Sequence, residues 1–563
     1  MLCSATSTAT LSCSLLSSSA STCVFSPRPF VRRRNHRDGR MVWHTNLCLF
    51  FDLKMDTCCQ LCRISAKSAS KEGALSVLSH SEDLERFKNS RIYPNPANDF
   101  EKQLEELFTE IMNMLRIGNR NDALYLLQAN HQAVKEQISS GIKTIEQAAI
   151  LDVVALGYVA YGDQEILDNL LRMLSGIVDN LKDHEQPLDS ILIHMGSMYT
   201  TLGRFDEAMR MYGRSLEILE HFFGKQSPFL VMGLLGKAKV LKSTGRVTEA
   251  IDTYHQTVNI LEKNRGTESE ELVIPLFALG DLQIDEGMVL EAEYSFKRIY
   301  TIYSKSYGEN DGRVGMALCS LAHAVFAKGN LEEAISMYRK GLDIIKDSKY
   351  LHPNDDDLVK MKVDLAELLH IAGRNQEGRE LLEECLLIAE KCKGEDHPSL
   401  VTHIINLATS HSHSKNLAEA ERLLRVGLRL ISKTVGVKDQ SITVPMLHLA
   451  IVLYNLKRDK EAERYALEAL NIREEAFGMQ SLPVAEALDC VISIQMRLEK
   501  DDSDLLAQLK RLLSIQENEL GYDNEDVMMT LKKIVFFLDK MCKKEEILPI
   551  KRRLTLLQNK YIG

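Results

Sequence analysis

From about residue 100 onward, apolar side chains recur at three- and four-residue spacing, the period of a helix with one buried face. The series Ala208, Tyr212, Leu216 and Leu219 is one such stripe. Three stretches share a tighter pattern. Gly196, Gly280 and Ala322 are each followed by a Gly seven positions later, an Ala five after that, and an aromatic residue four further on. The second small residue repeats at Ala208, Ala250, Ala292, Ala334, Gly378, Ala420 and Ala462, in steps of 42 with a single step of 44. A second marker, Gly224, Gly266, Gly308, Gly394, Gly436 and Gly478, runs in phase with it. Two markers in phase over seven units establish an internal repeat, which comes before any counting of domains.

Each unit reads as two antiparallel helices, A then B. The small residues of helix A (Gly196, Ala238, Gly280, Ala322, Ala366, Ala408, Ala450) and the Ala of helix B let the two axes approach closely. Gly203, Gly245, Gly287, Gly329 and Gly373 supply the positive φ that ends helix A. Lys415 and Lys457 stand at that turn in the last two units, which makes those turns the least defined. A Glu precedes the B-helix marker in all seven units, from Glu207 to Glu461, where the helix dipole favours acid.

These residues resemble the tetratricopeptide repeat family, with the best match at Gly196, Tyr199, Gly203, Ala208 and Tyr212. The 42-residue length and the passage from Cys385 to Gly394, Glu395, Asp396, His397 and Pro398 are similar to kinesin light chain. The resemblance implies an all-α fold, a right-handed α-solenoid of antiparallel helix pairs. It covers 185–480, with degraded units at 101–182 and 481–563. Gly118, Ala123, Ala155 and Gly162 mark the first of these, and Asp501 to Asp504 form the turn of the second. The last pair is expected at 526–541 and 548–560. There Pro549 is near a helix start, and Lys551, Arg552 and Arg553 form a solvated cap face.

Composition changes the picture at the N-terminus. Residues 1–30 hold 13 Ser or Thr, no acid precedes Asp38, and six arginines fall between Arg28 and Arg40. Hydroxylated, Arg-rich and acid-poor sequence is that of an organelle transit peptide. Hydroxyl residues leading and arginines following favour a plastid, with a disordered cytosolic tail as the alternative. The leader is placed at 1–63 and a linker at 64–100; residues 41–62 fit neither a leader nor a helix. Removing 1–63 takes eight basic and three acidic residues from 69 and 79, which turns a net charge of −10 into −15. Nucleic acid is therefore not an expected partner. Seven of 12 cysteines lie in the first 62 residues, and Cys59 with Cys62 lacks the second pair that zinc would need. Cys385 and Cys392 are expected as packed thiols on one helix face.

No catalytic, cofactor or metal motif survives its context. Gly224, Lys225 and Ser227 lack phosphate-loop spacing. His411 and His413, two apart on a helix, point away from each other. The chain is read as a non-enzyme without cofactor, binding protein or peptide partners.

By the family resemblance, A helices line a groove, and the positions one and four after the small residue face it. These are Ser197, Lys239, Asp281, His323, Glu367, Thr409 and Ile451, then Thr200, Lys242, Ile284, Phe326, His370, Ser412 and Tyr454. The set is basic at Lys239 and Lys242, acidic at Asp281 and Glu367, and aromatic at Phe326 and Tyr454, which suits an extended peptide with aromatic anchors. Kinesin light chains also carry cargo-holding Asn residues before the small residue, and here only Asn406 matches. The reading is a plastid scaffold for complex assembly, resembling plastid-targeted repeat proteins. A cytosolic adaptor of the kinesin-light-chain kind is the alternative. Oligomeric state is not specified by the sequence.

Overall fold

The structure is a computed structural model that describes residues 96–562, apart from 186, 354, 437–438 and 523. The leader at 1–63 and nearly all of the linker lie outside the described residues. The described part is all-α, a solenoid of consecutive antiparallel helix pairs, and it divides into two compact units at Leu279/Gly280.

In the first unit the pairs are Pro96–Arg116 with Arg120–Ser139, Ile145–Tyr161 with Gln164–Val178, Leu188–Thr201 with Phe205–Phe223, and Val231–Ser243 with Val247–Arg265. The division falls inside the helix Val273–Asp285. In the second unit Val289–Tyr307 is followed by Gly312–Ala327 with Leu331–Ser348, Asp356–Ile371 with Asn375–Lys393, and Leu400–His413 with Leu417–Val435. Thr443–Asn455 with Asp459–Phe477, Leu482–Arg497 with Asp502–Leu520, and Glu525–Lys540 with Lys544–Ile562 complete it. Within each unit the A helices also pack on one another, as Leu400–His413 does on Thr443–Asn455 and that helix on Leu482–Arg497.

The small residues close the helix pairs as the repeat predicts. A Cβ at Gly196 would lie 2.8 Å from the Tyr212 ring, and one at Gly280 would lie 2.8 Å from Phe296. Ala208, Ala250, Ala292, Ala334, Ala420 and Ala462 are fully buried.

Two kinds of turn alternate, and each has its own chemistry. Between helices A and B the chain passes once through the left-handed region: at Gly203 (φ 74°), Gly373 (φ 76°) and also Lys415 (φ 60°) and Lys457 (φ 64°). The lysine turns thus keep the repeat geometry, at the cost a Cβ brings there. Glu499 (φ 54°) and Cys542 (φ 58°) do the same, which carries the register to the last pair. Lys415→Gly is therefore expected to stabilise by about 0.5 kcal/mol, the relief of the left-handed Cβ less the entropy Gly adds to the unfolded chain. Urea melts of the variant beside Lys415→Ala, which keeps the Cβ, check this.

Between repeats the closing glycine adopts φ 80° and ψ 164° at Gly224, and φ 91° and ψ 154° at Gly394, a region essentially reserved for glycine. Three residues on, a side chain accepts the backbone N–H two further along. Ser227 accepts from Phe229, Ser269 from Glu271, Asp311 from Arg313, His397 from Ser399, Asp439 from Ser441 and Asn524 from Asp526, at 2.8–3.3 Å. This places His397-Pro398 in the turn that leads into the helix Leu400–His413. The 44-residue step also has a cause. Where the closing glycine is missing, Lys349 ends its helix at φ 54°, and the longer connection reaches the cap Asp355.

The Glu before each B-helix marker is more than a dipole partner. Arg204, Arg246, Arg374 and Arg458, each just before a B helix, hold Glu207, Glu249, Glu377 and Glu461 three residues on. Three expectations change. The final helix begins at Lys544, so Pro549 lies inside it, and Arg553 is drawn onto Glu517, the Tyr522 carbonyl and the Tyr522 ring instead of facing solvent. Cys385 is buried while Cys392 is exposed, so only one of the two thiols packs. No described helix is long and apolar enough to cross a membrane.

Candidate partner-binding face

The A-helix face divides by what lies beneath it. In the first unit, Ser197 and Thr200 sit over Tyr212, whose hydroxyl is hydrogen-bonded to both; burial pushes the phenol up to about 12. Thr200 also donates to the Gly196 carbonyl at 2.7 Å and is only 9% exposed, so it belongs to the core more than to a groove. Lys239 and Lys242 are half-buried, and burial lowers the Lys239 ammonium from its ordinary value.

In the second unit, Asp281 is exposed and Ile284, Asn406, Thr409 and Ser412 are half-buried. Ile451 is half-buried against the core. The two aromatic anchors are corrected. Phe326 is 8% exposed and packs with Val325, Ile335 and Leu369. Tyr454 is 6% exposed beneath the guanidinium of Arg497, which also binds the Tyr454 carbonyl and Asp459. Their rings are committed to the fold because the next A helix lies over them, a contact that spacing within one unit does not reveal.

His370 is half-buried, bonded through Nδ1 to Asn375 Oδ1 at 3.2 Å, and its ring stacks on His413 at 6.1 Å with 5° between the planes. Burial lowers both imidazoles, His370 and His413, from the usual histidine value. His411 turns the other way, into the core, and bonds Asn416. Among the described residues no group of three or more His, Cys, Asp or Glu is placed to hold a metal ion.

A polar niche on this face lies between consecutive A helices. Asp364 and Glu367, one turn apart on Asp356–Ile371, face His323 and Phe326 of Gly312–Ala327, with Tyr338 of Leu331–Ser348 beneath. His323 Nε2 lies 3.2 Å from Asp364 Oδ2, and the His323 and Tyr338 rings meet edge to face at 5.3 Å. Burial first, and the neighbouring Asp364 second, push the Glu367 carboxyl up to about 9. Glu367 is thus an uncharged acid at neutral pH, which changes the expected acidic patch into a half-buried proton store. A related pair appears in the first unit, where Asp152 is buried and meets His194 Nδ1 at 2.6 Å. That pair could have been read from the repeat, since the two residues are 42 apart.

Sequence reasoning also missed Arg473, fully buried, which donates to the Thr443 hydroxyl at 3.0 Å and the Pro483 carbonyl at 2.6 Å and pairs with Glu486. It ties three helices together and has no counterpart signal in the other units.

Compared with known proteins, residues 188–263, 278–347 and 357–433 match the tetratricopeptide repeat family model, and 446–482 matches a second tetratricopeptide repeat model. Two curated relatives are clustered mitochondria protein homologs. That of Aedes aegypti is 23% identical over 212 residues, 36% of this chain and 14% of its own length. That of Ajellomyces capsulatus is 22% identical over 207 residues, 36% of this chain and 17% of its own. This chain therefore matches only a small part of those proteins. A kinesin light chain with nearly identical TPR-like repeats from Podosopora anserina is similar in structure at 22% identity and TM-score 0.32, over 36% of this chain and 95% of that one. The apo form of the quorum sensor NprR from B. thuringiensis is similar at 13% identity and TM-score 0.43, over 66% and 99%. The matched segments between residues 188 and 482 carry tetratricopeptide repeats.

Proposed function

We propose that this chain is a non-enzymatic scaffold that binds an extended peptide or protein partner along the A-helix face of its repeats. One observation carries the reading. The position after the small residue has the same backbone setting in every unit, yet it holds Ser197, Lys239, Asp281, His323, Glu367, Thr409 and Ile451 in turn. The neighbouring seam position stays Gly or Ala throughout. A fold that repeats would accept one residue type there, so this variation supports a surface specified by a partner.

Photo-crosslinking tests it. A benzophenone side chain at Lys239 or Thr409 is expected to capture partner peptide, and one at the exposed B-helix positions Tyr294 or Arg429 is not. Equal capture at both sets, or none at the A-helix positions, would count against the proposal.

The composition of the N-terminal leader supports a plastid location and a role there in complex assembly. Similarity to clustered mitochondria protein homologs favours instead an adaptor outside the plastid. Residues 1–70 fused to a fluorescent reporter separate the two: plastid import is expected, and a diffuse cytosolic signal selects the adaptor.

A further inference from the structure

We propose that the niche formed by Asp364, Glu367, Tyr338, His323 and Phe326 is a receptor for one primary ammonium group, the side chain of a lysine in the bound partner; this rests on the peptide-binding reading above. The niche has room for about one water-sized group, a cavity volume of ≈ 10 Å³. An ammonium matches that size, and a planar guanidinium does not.

The donors and acceptors around it are unbalanced in one direction. Tyr338 is 1% exposed, lines the niche, and its hydroxyl has no hydrogen-bond partner. A buried hydroxyl in that state costs free energy unless a ligand or water satisfies it. The repeat itself supplies the control. Tyr212 occupies the same position three repeats earlier, 126 residues before Tyr338, and its hydroxyl is satisfied by Ser197 and Thr200. In the unit of Tyr338 those two positions have become His323 and Phe326, which turns a closed hydrogen-bond set into an open one.

The following A helix then adds Asp364 and Glu367 where the first unit's neighbour has Gly236 and Lys239. Among the described residues no ion pair or hydrogen bond falls on Glu367. His323 occupies one Asp364 oxygen. An ammonium brings three donors and no acceptor, so it can reach Asp364, Glu367 and the Tyr338 oxygen together, with the Phe326 ring as a wall.

The test uses the full chain on a matrix, with degenerate nonapeptide pools that differ only in one fixed central residue: lysine, Nε-acetyl-lysine, arginine or norleucine. The lysine pool is expected to be retained about tenfold over the acetyl-lysine and arginine pools, the scale of a hydrogen-bonded charge contact. Glu367→Gln and Tyr338→Phe should each bring that ratio close to one, while retention of the norleucine pool stays at the wild-type level and reports an intact fold. A wild-type ratio near one with all pools retained overturns the niche and leaves peptide binding standing. A ratio that survives both substitutions overturns the assignment to these residues. Retention of no pool above bare matrix overturns peptide binding, and the niche with it.

Discussion

Gly341→Ala is expected to destabilise the second unit by about 3 kcal/mol, and Gly315→Ala by a similar amount, the upper range for overpacking a close helix contact. The helices Gly312–Ala327 and Leu331–Ser348 cross with these two glycines against each other. A Cβ at Gly341 would lie 2.6 Å from Cys319 Sγ and 2.7 Å from the Gly315 carbonyl oxygen. A Cβ at Gly315 would lie 2.6 Å from the Gly341 carbonyl oxygen. Because backbone meets backbone, no rotamer change relieves the clash, and the helices must part. Once parted, the second substitution meets less resistance, so the double variant should cost less than the sum.

Gly427 is the control, since it holds the same repeat position two units later. Its Cβ would find nothing nearer than Ile404 at 3.4 Å. Gly427→Ala should therefore stabilise by about 0.5–1 kcal/mol through helix propensity alone. Repeat arrays need not unfold in one step, so the readout is hydrogen exchange of amides in the two helices beside the global urea midpoint. Equal effects at 341 and 427 would sink the argument.

That contrast marks what could be read from the chain. The seam residues, the turn glycines and the closing glycines were legible because they recur with a fixed period and have one physical cause each. The Lys415 and Lys457 turns looked least defined because a Cβ there is costly, yet the flanking helices impose the left-handed conformation regardless. Gly315 and Gly341 were also within reach. Gly315 departs from Val231 and Val273 at its own repeat position, and Gly341, like Gly427, departs from Ser215 and Thr257 at its own.

The candidate site was less legible because its character depends on the neighbouring unit. Phe326 and Tyr454 have the right spacing for groove anchors, and the following A helix buries them. Glu367 reads as an acidic groove residue, and burial beside Asp364 makes it a neutral acid. Charge state and exposure are properties of the packed stack, whereas periodicity reports only the backbone on which the stack is built.

Glu367→Gln is expected to stabilise the unliganded chain by about 2 kcal/mol at pH 7, with a sign that reverses the usual expectation for losing a carboxylate. The Glu367 carboxyl is raised to about 9 in the fold from 4.5. The folded state therefore holds a proton that the unfolded chain releases, and this contribution is complete below about pH 4.5. As pH rises toward 9, stability is lost along that slope, and above 9 the loss is constant. At pH 7 the full linkage over the window already crossed is about 3 kcal/mol, which the side chain's partial solvent access reduces to about 2. Asp364 on the same helix, and His323 and Tyr338 from the two helices packed against it, are the titratable groups around the carboxyl. Gln keeps the volume and removes the ionisation, so the variant's urea midpoint should diverge upward from wild type between pH 5 and pH 9. Parallel curves would mean that Glu367 ionises freely in the fold. Stabilisation together with loss of lysine selection is a split that a purely structural glutamate would not produce: the fold tolerates an awkward acid at this position because a cation completes it.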